Sequence, residues 1–97
     1  MAGYIQFIKY TQQGLASIKA SPGRVAAAKA EAAKMGVKSV GVWLTMGEYD
    51  LVAVWDAPDD QAMAVGALAL AKAGNVTTTT VRAFSEDEFS QIVGKLP

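Results

Sequence analysis

Residues 37–56, VKSVGVWLTMGEYDLVAVWD, read as two apolar strands folded back on each other at Met46-Gly47-Glu48-Tyr49-Asp50. In the first arm Val40, Val42, Leu44 and Met46 alternate with Ser39, Gly41, Trp43 and Thr45. Successive side chains of a strand point to opposite faces. The wholly apolar set is therefore expected to meet helices, and the mixed set to face away. In the second arm Leu51, Ala53 and Trp55 alternate with Asp50, Val52 and Val54. Loop length decides how the two alternations align, because a one-residue slip turns every side chain to the other face. A three-residue loop, Gly47-Glu48-Tyr49, puts Val52 and Val54 with the helix-facing set. It also brings Trp43 and Trp55 together on the opposite face; a two-residue loop reverses this. The longer loop is expected, since it leaves the charged Asp50 at the strand edge beside the turn.

Working outward, Tyr4–Tyr10 (YIQFIKY) is rich in β-branched and aromatic residues and reads as a first strand covered on both faces. A connector with a short helical turn follows. Ser21-Pro22 then starts a helix, with Ser21 as N-cap and Pro22 pre-set for the first turn. Val25, Ala28, Ala32 and Met35 form its narrow apolar stripe, and Gly36 suits its C-terminal stop. After the hairpin, Pro58 and the pair Asp59-Asp60 open a second helix, the acids complementing the positive end of the helix dipole. That helix is apolar nearly all round, so cover on more than one side is expected. NVTTTTVRAF (75–84) reads as a fourth strand with both faces half polar, suited to a sheet edge or to a wall of hydroxyls. Ser85 and Glu88 have capping-box spacing. Phe89, Ile92, Val93 and Leu96 follow at amphipathic spacing, so the last helix is expected to dock on something apolar.

The order strand, helix, strand, strand, helix, strand, helix is the split βαβ pattern. The expected fold is a single α+β domain over residues 1–97. It has a ferredoxin-like βαββαβ antiparallel sheet, both crossover helices on one face, and an extra C-terminal helix. The other sheet face is left bare, carrying Trp43, Trp55, Leu51 and part of the first strand. Two such faces can close on each other as a dimeric α+β barrel. Composition agrees: hydrophobic residues make up 52% of 97 residues, high for a small domain with a thin core margin. Homodimers or larger homo-oligomers are the expected assembly.

Nine Lys/Arg balance nine Asp/Glu. With no basic excess, neither nucleic acid nor an anionic membrane is an expected partner. No apolar run approaches the ~20 residues that span a bilayer, and Met1-Ala2-Gly3-Tyr4 does not read as a signal peptide. A cytoplasmic location is expected. The chain has no Cys and no His. That removes disulfides, thiolate chemistry, the serine–histidine triad and ordinary zinc sites. No cofactor and no metal are expected.

The segment TMGEYDLV (45–52) resembles the signature of the GYD-domain family. The resemblance extends to YIQFIKYT at the start, Ser21-Pro22, Ala57-Pro58-Asp59-Asp60, GNVTT (74–78) and Arg82-Ala83-Phe84. It implies membership of the dimeric α+β barrel group, in which two ferredoxin-like sheets pack face to face. The family implies no established biochemical role. Relatives commonly carry an acidic residue near position 23; Gly23 departs from that pattern.

The candidate ligand-binding residues are Trp43, Glu48, Tyr49, Asp50 and Arg82. Tyr49 with Glu48 and Asp50 offers a hydroxyl beside paired carboxylates. The plain alternative is a turn in which Gly47 takes positive φ, Asp50 bonds the backbone and Tyr49 packs at the sheet edge. Trp43 offers cavity lining or dimer contact. Arg82 offers an anion anchor or a surface ion pair. Three functional readings follow. One is an interaction or structural module whose sheet face is its interface. Another is a binding protein for a small apolar or aromatic molecule held between sheet and helices, oriented by Tyr49, Asp50 or Arg82. The third is a cofactor-independent monooxygenase- or isomerase-like enzyme, by fold-level analogy.

Overall fold

The computed structural model of the chain describes residues 1–97. The β-branched and aromatic runs form β1 (Ala2–Tyr10), β2 (Lys38–Leu44), β3 (Leu51–Ala57) and β4 (Val76–Ala83). Between them lie α1 (Gln12–Ala16), a 3-10 turn (Ile18–Ala20), α2 (Ser21–Lys34) and α3 (Asp60–Lys72), and α4 (Glu86–Val93) follows β4. The strands make one antiparallel sheet in the order β2-β3-β1-β4, the ferredoxin-like arrangement.

Helix ends follow local chemistry. The Asp59 carboxylate accepts the Ala62 N–H at 2.8 Å, and Asp60 sits in the first turn of α3. Gly36 (φ +75°) and Gly74 (φ +84°) turn the chain out of α2 and α3 through the left-handed region that glycine tolerates. Ser85 and Glu88 exchange hydrogen bonds as a capping box. One expected cap differs. Ala20, not Ser21, precedes α2 and offers no side-chain cap. The buried Ser21 hydroxyl instead lies 2.6 Å from the Tyr10 hydroxyl.

The hairpin parity also differs from expectation. Leu44 pairs with Leu51, and the Thr45 N–H donates to the Asp50 carbonyl at 2.8 Å, so the loop is the four residues Met46–Tyr49. Asp50, at the edge of the turn before β3, is tied to β1. Its N–H donates to the Ile8 carbonyl at 2.9 Å, and its carboxylate accepts the Tyr10 N–H at 2.8 Å. Leu51, Ala53, Trp55 and Ala57 are consequently buried beneath the helices, while Val52 and Val54 face away. Trp43, opposite Val52, lies on the open face and Trp55 on the helix face, so the two tryptophans do not meet. Val40 is the extra residue of a bulge in β2. It is exposed, as are Leu44 and Met46, and of the apolar set on β2 only Val42 lines the space under the helices.

The core lies between the helices and the inner face of β1 and β3, around Tyr4, Ile8, Val37, Leu51, Ala53, Trp55 and Met63. Helix α3 is covered on one side only, with Val65 and Leu68 in solvent. Thr11 and Gly14 close the other end of the sheet. The Thr11 hydroxyl donates to the Gly74 carbonyl at 2.6 Å, and Gly14 is buried against Asn75.

A Cβ at Gly14 would sit 2.0 Å from the Asn75 carbonyl oxygen, whereas one at Gly23 meets nothing within 4 Å. Chemical denaturation should therefore show Gly14→Ala destabilising by ~1–3 kcal/mol. Gly23→Ala should stabilise by about 0.5 kcal/mol.

Candidate functional site

Small side chains on two helices leave a space over the middle of the sheet. Helix α2 lies against β2, and α3 against β4 and β3. Val25, Ala28, Ala32 and Met35 of α2 face Met63, Gly66, Ala69 and Leu70 of α3 across a cavity of about 330 Å³. Its floor is Gln6, Ile8 and Tyr10 of β1 with Val42, Leu51, Ala53 and Trp55. The polar groups it meets are few and mostly uncharged: Gln6, Tyr10, Ser21 and Asn75, with Arg24 and Glu31 of α2 as the charged ones.

Two polar pairs, one buried and one partly buried, organise this space. The Trp55 indole N–H donates to the Gln6 side-chain carbonyl at 3.0 Å. An indole N–H in an apolar setting needs an acceptor, and Gln6 is the one polar residue on the inner face of β1 between Tyr4 and Tyr10. The bond occupies the amide oxygen, and the NH₂ makes no hydrogen bond within the chain. The second pair, Tyr10 with Ser21, ties the end of β1 to the start of α2.

A smaller space of about 290 Å³ lies beyond Met63, lined by Tyr4, Asp60, Ala64, Ala67, Thr80 and Arg82. The Tyr4 hydroxyl donates to the Asp60 carboxylate there. That bond, helped by burial and by the negative charge of Asp60, raises the Tyr4 pKa above the ordinary tyrosine value; Arg82 partly opposes it. The Thr80 hydroxyl is buried in this region without a partner.

None of the five candidate residues lines the larger cavity. Trp43 stands 52% exposed on the open sheet face. Tyr49 folds back over that face, its ring centroid 4.8 Å from that of Phe7, with the Lys9 ammonium 6.0 Å away. Trp43 and Tyr49 thus belong to one apolar face, with Ile5, Phe7, Val52, Val54 and Val81. Glu48 is exposed at the turn, and Asp50 is committed to the Tyr10 N–H. Arg82 lies in the smaller space, packed over the Tyr4 and Phe84 rings and 3.6 Å from Glu88. Of the cavity lining, the stripe Val25, Ala28, Ala32 and Met35 reads from the sequence only as a packing face and Trp55 as part of the open sheet face, because alanines and apolar side chains carry no chemical signal of a site. The usable signal was Gln6, a lone polar residue on a strand face otherwise filled by Tyr4, Ile8 and Tyr10.

The sequence model of the GYD-domain family matches residues 4–93. The crystal structure of TTHA0845 from Thermus thermophilus has a similar fold, with a TM-score of 0.56 at 22% identity over 88% of this chain and 95% of that one. No curated protein matches the chain in sequence. The chain contains no helix long and apolar enough to cross a membrane.

The Tyr4–Asp60 bond gives a pH signature. Because folding raises the Tyr4 pKa, its contribution is complete below the ordinary tyrosine value of about 10 and is lost as pH rises from there through the folded-state value. Denaturant midpoints measured from about pH 9 to about pH 11 should fall more steeply for the native chain than for Tyr4→Phe.

Proposed function

We propose that this chain, which belongs to the GYD-domain family, is a homodimeric binding module that holds a small apolar or aromatic molecule between its sheet and its helices. The cavity carries this reading. The space is a half-open apolar cleft of about 330 Å³, of the size and lining that small-molecule sites have. An apolar occupant would gain by removing that lining from water, at about 25 cal/mol per Å² covered. Seventeen of its 23 lining residues are hydrophobic, so water held there finds few polar partners. A flat apolar molecule fits the slot between α2 and the Trp55 floor, and the free NH₂ of Gln6 favours one bearing a hydrogen-bond acceptor, such as an aryl ketone.

The mostly neutral hydrogen-bonding groups at the cavity favour binding over catalysis. The open sheet face supports the homodimer: exposed Trp43 and Val81 flank half-buried Ile5, Phe7, Tyr49, Val52 and Val54, an apolar face that no helix of the chain packs on. On this reading Trp43 and Tyr49 serve association, while Glu48, Asp50 and Arg82 maintain the turn and the sheet edge.

Two measurements test the two halves. N-phenyl-1-naphthylamine should bind saturably with enhanced emission, and Ala28→Phe, which fills the slot, should weaken binding at least tenfold without changing the dimer. 2-Acetylnaphthalene should bind about fivefold more tightly than naphthalene through one added hydrogen bond. Absence of saturable binding would remove the ligand reading. Light scattering should give twice the 10.2 kDa chain mass, falling to a single chain in Trp43→Glu. A native monomer would remove the dimer reading.

A further inference from the structure

The last helix has no visible means of support within its own chain. Helix α4 has eight residues, and isolated helices shorter than ~12–15 residues are marginal in water even when well capped. Its capping box and the Arg82–Glu88 pair hold its first turn. Nothing in the chain covers the rest: Phe84, Phe89, Ile92, Val93 and Leu96 are each 44–69% exposed. The molecule is correspondingly drawn out, with a long axis of 52 Å and a radius of gyration of 14.6 Å. A compact chain of this length should reach about 12.5 Å.

We propose that α4 is an arm that packs its apolar face on the second copy of the chain. This rests on the sheet-face dimer proposed above and adds a second contact to it. Area argues for the arm. Four strands about 4.8 Å apart, each about 25 Å long, give a footprint of roughly 480 Å². A stable interface takes about 800 Å² per partner. The five exposed side chains on and beside α4 offer on the order of 500 Å² more, enough to close the deficit. Geometry gives them a place. Ala83 at the end of β4 and Lys38 at the start of β2 lie at the same end of the sheet, on opposite edges. A twofold axis running along the strands sets β4 of one copy over β2 of the other and keeps those ends together. Helix α4 then leaves β4 beside the partner's β2 edge, where the bulge leaves apolar Val40 exposed.

The test is a sedimentation dilution series on the full chain, with hydrogen exchange over residues 88–93. The double variant Phe89→Glu/Ile92→Glu should raise the dimer dissociation constant at least thirtyfold, and Val40→Glu at least tenfold. Gln91→Glu, on the polar side of α4, should leave it unchanged. All these positions are exposed in the single chain, so circular dichroism should show each variant folded. The α4 amides should be protected only at concentrations where dimer is populated. Three results would overturn the arm: a double variant that dimerises like the native chain, α4 amides that stay fast in the dimer, or α4 amides already slow in the monomer, which would place the helix on its own chain. A native chain that is monomeric throughout would instead remove the sheet-face dimer itself, and the arm with it.

Discussion

Thr45 and Asp50 close the hairpin across four residues, and Asp50 is bound to β1 through both its backbone and its carboxylate. This closure fixes the parity of β3, the strand between β1 and β2. Every second side chain from Leu51 to Ala57 must then go under the helices, because the side-chain period of a strand is two. Trp55 comes to lie on the floor of the cavity, and its indole N–H requires the acceptor that Gln6 supplies on the neighbouring strand. Shifting the closure by one residue would expel Trp55, strand Gln6 in an apolar floor and bring Val52 and Val54 inward. One loop thus determines what the cavity is made of.

The cavity itself is a consequence of small residues on two helices. Alanines on α2 and Gly66 and Ala69 on α3 project too little volume to meet over β1. Packing at native density would require larger side chains there. The Ala- and Gly-lined cleft is the place the proposed ligand would occupy, its small side chains leaving the room. The same sheet serves the proposed ligand and the proposed partner on its two faces. A ligand on Trp55 and a partner on Trp43 would be separated by one strand-to-strand step and the thickness of the sheet. Contacts that stiffen β2 and β3 on one face therefore stiffen the floor of the other.

Much of the scaffold was legible in the sequence. Gly36 and Gly74 mark helix exits, Asp59 and Ser85 mark entries, and the alternating arms of 37–56 mark a hairpin. Each of these signals is local, so no tertiary information was needed to use it. The loop was not legible, since Gly47 at positive φ suits a turn of three or four residues equally well. The choice was made by Asp50 bonding to Ile8 and Tyr10, which are distant in sequence. The bulge at Val40 was hidden for the same reason. The candidate site was legible only in part. Trp43, Glu48, Tyr49, Asp50 and Arg82 stand out by chemical type, but they gather on the open face, the turn and the β4 edge. The cavity is defined by absent volume, which composition records only as a surplus of alanine.

Helix α4 shows what a strong local signal can and cannot establish. Ser85 and Glu88 specify where the helix begins whatever the rest of the chain does, and the Ser85 N–H and the Arg82 guanidinium hold Glu88 ionised below the usual carboxylate range. Capping orients a helix but does not bury it. Phe89, Ile92 and Val93 repeat at a spacing that has value only against another surface, and the chain presents them to solvent. The open sheet face has a similar character, an apolar surface that Tyr49 covers only in part. In the proposed dimer these two surfaces, one flat and one helical, meet at β4, and a single twofold operation would cover both.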